Sequence, residues 1–257
     1  MRFSKTFIGT CLVIAAGWMI LVTNMSQNAQ ATEDGLKLSP EEYADGSKRK
    51  AAVAQKITPS LKTAVTEAGF KWGTPVFLRA FKDEKNLELW LKNDTGKFAL
   101  FRTYPIAAAS GKLGPKLREG DGQVPEGFYY VTPDQMNPKS DFHLSFNIGY
   151  PNKYDRAHDR TGSFIMVHGS NVSIGCLAMT DEKIEEIFTL CDAAHRGGQE
   201  YFRIHIFPFR MSDCKMAEFQ DHEWLSFWKN LQTGYTWFED KKLPPDVSVK
   251  DKAYQFK

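Results

Sequence analysis

The chain is poor in cysteine, with four in 257 residues. None is paired as C-x-x-C or set near histidines at zinc-ligand spacing, which argues against a metal site, and nothing calls for a cofactor. An excess of either charge is also missing. Thirty-three Lys/Arg stand against 31 Asp/Glu. Arg2 and Lys5 fall in what reads as a leader, so the remainder is neutral at 31 against 31. A nucleic-acid binder would carry a basic excess or stripe. Internal repeats are absent, and 19 Gly and 12 Pro are scattered without period, which excludes collagen-like and disordered classes. After residue 22 no segment is apolar for long enough to cross a membrane.

The apolar run that does exist lies at the start. Arg2 and Lys5 precede Phe7–Val22, and a polar stretch follows, ending Ala29-Gln30-Ala31. A charged n-region, an apolar h-region and an A-x-A site predict a secretory signal over residues 1–31, cut after Ala31. The alternative is an uncleaved signal anchor, which would be the chain's one membrane contact. Both place the rest outside the cytoplasm, in the periplasm. Removing the leader removes Cys11 and leaves Cys176, Cys191 and Cys214. An odd count in an exported protein points to a thiol kept for a purpose.

Residues 32–70 read as a loose polar arm and then a helix around Ile57, Leu61, Ala64, Val65 and Ala68, with Pro59 near its start and Gly69 at its stop. From Thr74 the hydrophobic period is two. Strands are expected over Thr74–Phe81, Leu87–Lys92 and Lys97–Tyr104, the last two joined by Asn93-Asp94-Thr95-Gly96 as a hairpin turn. Gly111–Gly127 is a long loop. Phe128–Thr132, His143–Ile148, Ser163–His168 and Tyr201–Phe207 are further strands. Thr180 should cap a helix that carries Ile184, Ile187, Phe188 and Cys191 on one face and ends at Gly197-Gly198. A last helix is expected over Lys215–Gln232, stopping before Gly234, with an extended tail after Lys241. Residues 71–211 would form the main domain and 212–257 a C-terminal helix and tail. The fold class expected is a mainly β, α+β core with flanking helices.

The informative stretch runs from Phe164 to Cys176. An apolar strand delivers His168, Gly169 breaks the strand, and Ser173-Ile174-Gly175-Cys176 returns to it. Eight residues suffice to bring thiol and imidazole within reach of each other. A thiol is mostly protonated at neutral pH and needs a base or a positive field to attack. His168 could hold the thiolate as imidazolium and later return the proton to a leaving amine. With no side chain at Gly175, the N–H groups of Gly175 and Cys176 could receive an oxyanion. The bland reading is a buried small Cys176 and a strand-end His168 with structural roles; the pairing and the flanking glycines favour catalysis. Cys191 lies on an apolar helix face, where packing is its default, and a Cys191–Cys214 disulfide is compatible with export. His205 and His222 default to structural roles, His143 and His158 lie near the presumed groove without a partner, and Trp224 and Trp228 read as core.

His168-Gly169 followed by Ser173-x-Gly175-Cys176 resembles the signature of the L,D-transpeptidase catalytic domain, the YkuD-type family. The stretch Gly114-Pro-Lys-Leu-Arg-Glu-Gly-Asp-Gly, Pro125-Glu126-Gly127-Phe128-Tyr129 and Tyr150-Pro-Asn-Lys-Tyr-Asp-Arg-Ala-His158 resemble its YafK-like branch, and the likeness covers roughly Lys71–Met211. It implies a β-sandwich catalytic core, Cys176 as nucleophile, His168 as base and acid, the Gly169 carbonyl orienting the imidazole, and Ser173 supporting the loop. It also implies peptidoglycan stem peptides containing diaminopimelate as substrate, attacked to give a thioester. Transfer to an amine would cross-link; hydrolysis would release a cross-link or a wall-linked lipoprotein. An inactive wall-binding module is the reading from another class. Most of the family carries an arginine two residues after the cysteine, where this chain has Ala178. Arg156 or Arg160 is the expected substitute, with Tyr150 and Asn152 beside it as substrate-binding residues.

Overall fold

The computed structural model describes residues 39–257. The leader, its cleavage after Ala31 and the first part of the polar arm lie outside the described residues. From Pro40 the chain is helical, in α1 (Pro40–Ala44) and α2 (Gly46–Glu67). The helix expected around Ile57–Ala68 therefore begins further upstream, and Pro59 lies inside α2 rather than near its start. Asp45 supplies the missing start signal, its carboxylate accepting from the Ser47 amide at 3.0 Å.

Strands β1 (Val76–Phe81), β2 (Asn86–Lys92) and β3 (Phe98–Pro105) follow as an antiparallel meander. The turn between β2 and β3 closes as expected: Gly96 sits at φ 81°, and the Asn93 amide pairs with the Lys97 carbonyl at 2.8 Å. Then come β4 (Ala108–Ala109), β5 (Gly127–Val131), β6 (Met136–Asn137), β7 (Ser145–Asn147), α3 (Lys153–Ala157), β8 (Met166–His168) and β9 (Leu177–Ala178). The C-terminal third holds α4 (Asp181–Arg196), β10 (Phe202–Phe207), α5 (Asp213–Ala217), α6 (Leu225–Lys241), β11 (Val247–Lys250) and β12 (Ala253–Phe256).

Two five-stranded sheets organise these elements, in the orders β3-β2-β1-β10-β5 and β4-β9-β8-β7-β6, with β11-β12 as a separate hairpin. Each large sheet is mixed. β1 runs parallel to β10 and β8 parallel to β9, while the other pairs are antiparallel. The main core lies between the sheets and beneath α2 and α4, where Leu78, Ile204, Phe146, Val167, Leu61 and Ile187 meet. A second cluster covers the outer face of the first sheet, built from Phe81, Phe128, Phe207, Trp228, Leu231 and Tyr254. With both faces covered, every residue of β1 is buried, so its sequence reads as a continuous apolar run. The charged exception, Arg79, donates to Glu88 and Glu239 and lies against the rings of Trp90 and Phe238.

The C-terminal expectations are corrected. The single helix over Lys215–Gln232 is two, broken between Ala217 and Leu225. The second of them passes through Gly234 to Lys241, because a Cβ at that glycine would sit 2.5 Å from the Phe256 ring and 2.6 Å from Phe128. Here glycine permits close packing and does not stop the helix. The extended tail is the β11-β12 hairpin. The three cysteines after the leader are free thiols: Cys191 is buried on α4 and Cys214 is exposed on α5, so the disulfide is not formed.

The long loop 111–127 is tied down by two buried charges. The Glu126 carboxylate accepts from the Gly114 amide at 2.7 Å, the Lys82 ammonium at 3.0 Å and the Trp228 indole at 2.8 Å. Removing one member of such a buried cluster leaves the others unpaired. Glu126→Ala should therefore lower unfolding stability by about 3–5 kcal/mol in urea titration, and a loss under about 1 kcal/mol would contradict this role.

Candidate active site

Strand β8 ends on His168, and the parallel pairing of β8 with β9 sets Val167 opposite Leu177 and His168 opposite Ala178. Cys176 precedes β9 by one residue. It therefore lies two positions from His168's partner, on the same side of the sheet by the period of two. The connecting loop is held at each end. The Gly169 amide donates to the carbonyls of Phe142 (3.0 Å) and Leu144 (3.1 Å), and the Ser170 amide donates to Asp181 Oδ1 at 2.7 Å. A Cβ on Gly169 would meet that Asp181 oxygen at 2.5 Å, so only glycine fits. Thr180 precedes α4 with φ 69° and makes no side-chain cap; its amide donates to the Ser170 carbonyl at 2.8 Å, fixing the turn.

At the other end Ser173 clamps the nucleophile's own peptide. Its hydroxyl accepts from the Cys176 amide at 2.9 Å and donates to the Cys176 carbonyl at 2.6 Å. Ser110 does the same for Gly175, accepting from its amide at 2.6 Å while donating to the Gly122 carbonyl at 2.7 Å. The oxyanion expectation is thereby corrected, since both amides are already committed to serine hydroxyls. Gly175 itself is required at φ 95°.

His168 and Cys176 line one cavity of about 310 Å³, together with Asn137, Lys139, Asp141, Phe142 and Phe164. His168 is buried, with Nδ1 2.6 Å from the Gly169 carbonyl. A carbonyl only accepts, so Nδ1 carries the hydrogen and the Nε2 lone pair is left for proton transfer. The ring lies against Phe142, with centroids 4.8 Å apart. Cys176 Sγ accepts from the Met166 amide at 3.4 Å and lies 3.7 Å from the Phe164 carbonyl. Its hydrogen-bond partners do not include the imidazole, so the direct pair expected from spacing is not made in this state.

Burial pushes the Cys176 thiol up, against the opposing pull of the Met166 amide and the Lys116 ammonium. Burial pushes the His168 imidazole down, against its bond to Gly169. Both shifts favour the uncharged forms. At neutral pH these directions favour a neutral thiol beside a neutral imidazole over the expected imidazolium–thiolate pair.

The four residues expected at the substrate lie elsewhere. The Tyr150 hydroxyl donates to the Lys116 carbonyl at 3.1 Å. Asn152 caps α3 and donates to the Phe128 carbonyl and the Tyr254 hydroxyl, each at 2.9 Å. Arg160 is buried, paired with Asp155 at 2.9 Å and packed on Tyr154 and Phe227. Arg156 is exposed and donates back to the Pro151 carbonyl. Together they brace residues 150–160 against β5 and the C-terminal hairpin, and none lines the cavity. Nor would an arginine fit in place of Ala178, which is fully buried in the sheet. Serines 110 and 173 and Asp181 brace the loop instead.

The other histidines have structural surroundings. His143 Nε2 meets Glu185 at 3.0 Å, and His158 Nε2 meets the Lys252 carbonyl at 2.8 Å, so both have the partners that sequence could not supply. His205 is caged by Phe77 and Phe128, and His222 stacks on Trp228. Trp228 is buried, while Trp224 lies against Gly114. Sequence reasoning missed Ser110, Lys139, Asp141 and Phe142. No local pattern links Ser110 to Gly175, 65 positions away, and the three wall residues sit in a loop without a motif.

A β framework thus presents a cysteine and a tautomer-fixed histidine to one open cavity. Residues 76–206 match the family model of the L,D-transpeptidase catalytic domain, YkuD. The chain is also 43% identical over 182 residues to YafK of Escherichia coli strain K12, an unconfirmed L,D-transpeptidase, covering 71% of this chain and 74% of that protein. The O157:H7 counterpart matches at the same 43%. The chain belongs to the L,D-transpeptidase catalytic-domain family. Among solved structures it is similar to Pgp2, the helical cell shape determining protein of Campylobacter jejuni, with a TM-score of 0.43 and 17% identity over 74% of this chain and 80% of that one. Bd1075 of Bdellovibrio bacteriovorus matches with a TM-score of 0.38 and 19% identity over 71% and 84%.

A neutral resting pair has a kinetic signature. Alkylation of Cys176 by iodoacetamide in the free protein should rise with a midpoint above that of an ordinary thiol, because only the thiolate reacts. A plateau of fast alkylation extending down to mildly acidic pH would show an ion pair and contradict this assignment.

Proposed function

We propose that this protein is an exported, periplasmic enzyme that transfers acyl groups of peptidoglycan stem peptides at diaminopimelate through a Cys176 thioester. The observation carrying this reading is that Cys176 and the free Nε2 of His168 share one cavity. As an amide carbonyl enters, His168 Nε2 takes the Sγ proton while sulfur attacks carbon. Collapse of the tetrahedral adduct breaks the C–N bond, and the imidazolium returns that proton to the departing amine. An acceptor amine then displaces sulfur and forms a new amide, regenerating the thiol. Lys139 and Asp141 on the cavity wall supply one charge of each sign, which suits the paired ammonium and carboxylate at the side-chain end of diaminopimelate.

A second reading keeps the same thioester and gives it to water, releasing a wall-linked lipoprotein or a cross-link. The favouring observation is an apolar rim at the thiol. Phe164 is 76% exposed and Ile174 88% exposed, a surface that suits a polypeptide more than a sugar.

Incubation of the purified protein with defined muropeptides, with and without a lipoprotein-linked stem, separates these outcomes by product mass. Transfer gives a joined product, whereas hydrolysis gives a free carboxylate. Either activity should fall by about a thousandfold or more in Cys176→Ala and His168→Ala. Undiminished turnover in Cys176→Ala would refute the thioester, and inertness of the wild type towards every stem peptide would leave a binding module.

A further inference from the structure

We infer that Arg49, on helix α2 and outside the catalytic-domain match, is a positioning residue that sets the cavity wall Ser140–His143 and through it the seat of His168. Arg49 is buried, and its Nη1 donates to the Ser140 carbonyl at 2.6 Å and to the His143 carbonyl. Those two carbonyls bracket Asp141 and Phe142. Both bracketed residues line the cavity, and Phe142 covers the imidazole. One guanidinium nitrogen thus pins both ends of the segment that forms one wall of the site.

Two further contacts show that the wall is fitted to this helix. A Cβ on Gly46, the first residue of α2, would meet the Lys139 backbone nitrogen at 2.8 Å and the Pro138 carbonyl carbon at 2.8 Å, so the helix start lies directly on the chain entering the wall. At the far end His143 holds φ 66°, a conformation that a non-glycine residue keeps only when its surroundings enforce it. Glu185 on α4 holds the His143 ring at 3.0 Å and is itself paired with Lys56 of α2 at 3.1 Å.

The route to the chemistry is short. The Phe142 carbonyl accepts from the Gly169 amide at 3.0 Å, and the Gly169 carbonyl fixes His168 Nδ1 at 2.6 Å. A displaced Phe142 would therefore both uncover the imidazole and loosen the peptide that sets its tautomer. The titratable groups around that ring are the Cys176 thiol, Lys139 and Asp141 in the cavity, Asp181 at the start of α4, and His143 with Glu185 behind Phe142. None of them needs to change charge for the effect, because burial is what holds the imidazole below its usual range.

The inference rests on the Cys176–His168 reading of the site, and its test works on the free protein without any substrate. Arg49→Met keeps the length of the stem and removes the donors, whereas Arg49→Lys restores a cation that can donate to both carbonyls. His168 titration is followed by NMR of ring-labelled protein, and Cys176 reactivity by iodoacetamide. In Arg49→Met the His168 midpoint should rise towards that of an exposed imidazole and alkylation should become severalfold faster. Arg49→Lys should return both values most of the way. Phe142→Leu, at a half-exposed position that the fold does not depend on, should raise the His168 midpoint in the same way, and it serves should Arg49→Met fail to fold. Unchanged midpoints in Arg49→Met or in Phe142→Leu would overturn the inference, as would equal shifts in the Met and Lys variants. If instead turnover of stem peptides survives undiminished in His168→Ala, the reading of the site itself has failed, independently of Arg49.

Discussion

The two-residue parallel pairing of β8 with β9 is the constraint on which the site depends. His168 ends one strand and Cys176 leads into the other, and the register His168↔Ala178 puts the two side chains on one side of the sheet, offset by two residues. A slip of one residue would turn the thiol to the opposite face. The eight-residue connection alone could not prevent such a slip. Ser173, Ser110 and Asp181 prevent it by holding the loop's backbone amides, while Gly169 lets the backbone approach Asp181 and Gly175 supplies the turn at φ 95°.

Burial then decides the charge state. A half-buried sulfur and a buried ring each resist ionisation, and their hydrogen bonds oppose that tendency without reversing it. The consequence is a site whose uncharged forms are favoured at rest, so that the proposed mechanism creates the thiolate as the proton moves to Nε2. A neutral resting thiol is also a weaker target for oxidants and stray electrophiles.

Much of this was legible in the amino-acid order, for identifiable reasons. The β2–β3 hairpin follows from Asn93–Gly96, and the α4 helix from the spacing of Ile184, Ile187, Phe188 and Cys191; both are local patterns. His168 and Cys176 were legible because the loop joining them is short. What escaped was non-local. The commitment of the Gly175 amide to Ser110 could not be read from a motif, nor could the burial of Arg160 against Asp155 and Tyr154, which turns an apparent substrate ligand into a brace. The C-terminal helix was misjudged because Gly234 resembles a stop signal, whereas the rings of Phe128 and Phe256 require a residue without a side chain there.

The central claim is that the sulfur delivered by this strand pairing carries the acyl group. Rapid acid quench of the protein with a stem-peptide substrate, followed by intact mass and peptide mapping, tests it most directly. The account predicts a thioester adduct on the peptide containing Cys176, released by hydroxylamine. Turnover that proceeds without any adduct, or an adduct mapping to Cys191 or Cys214, would contradict it.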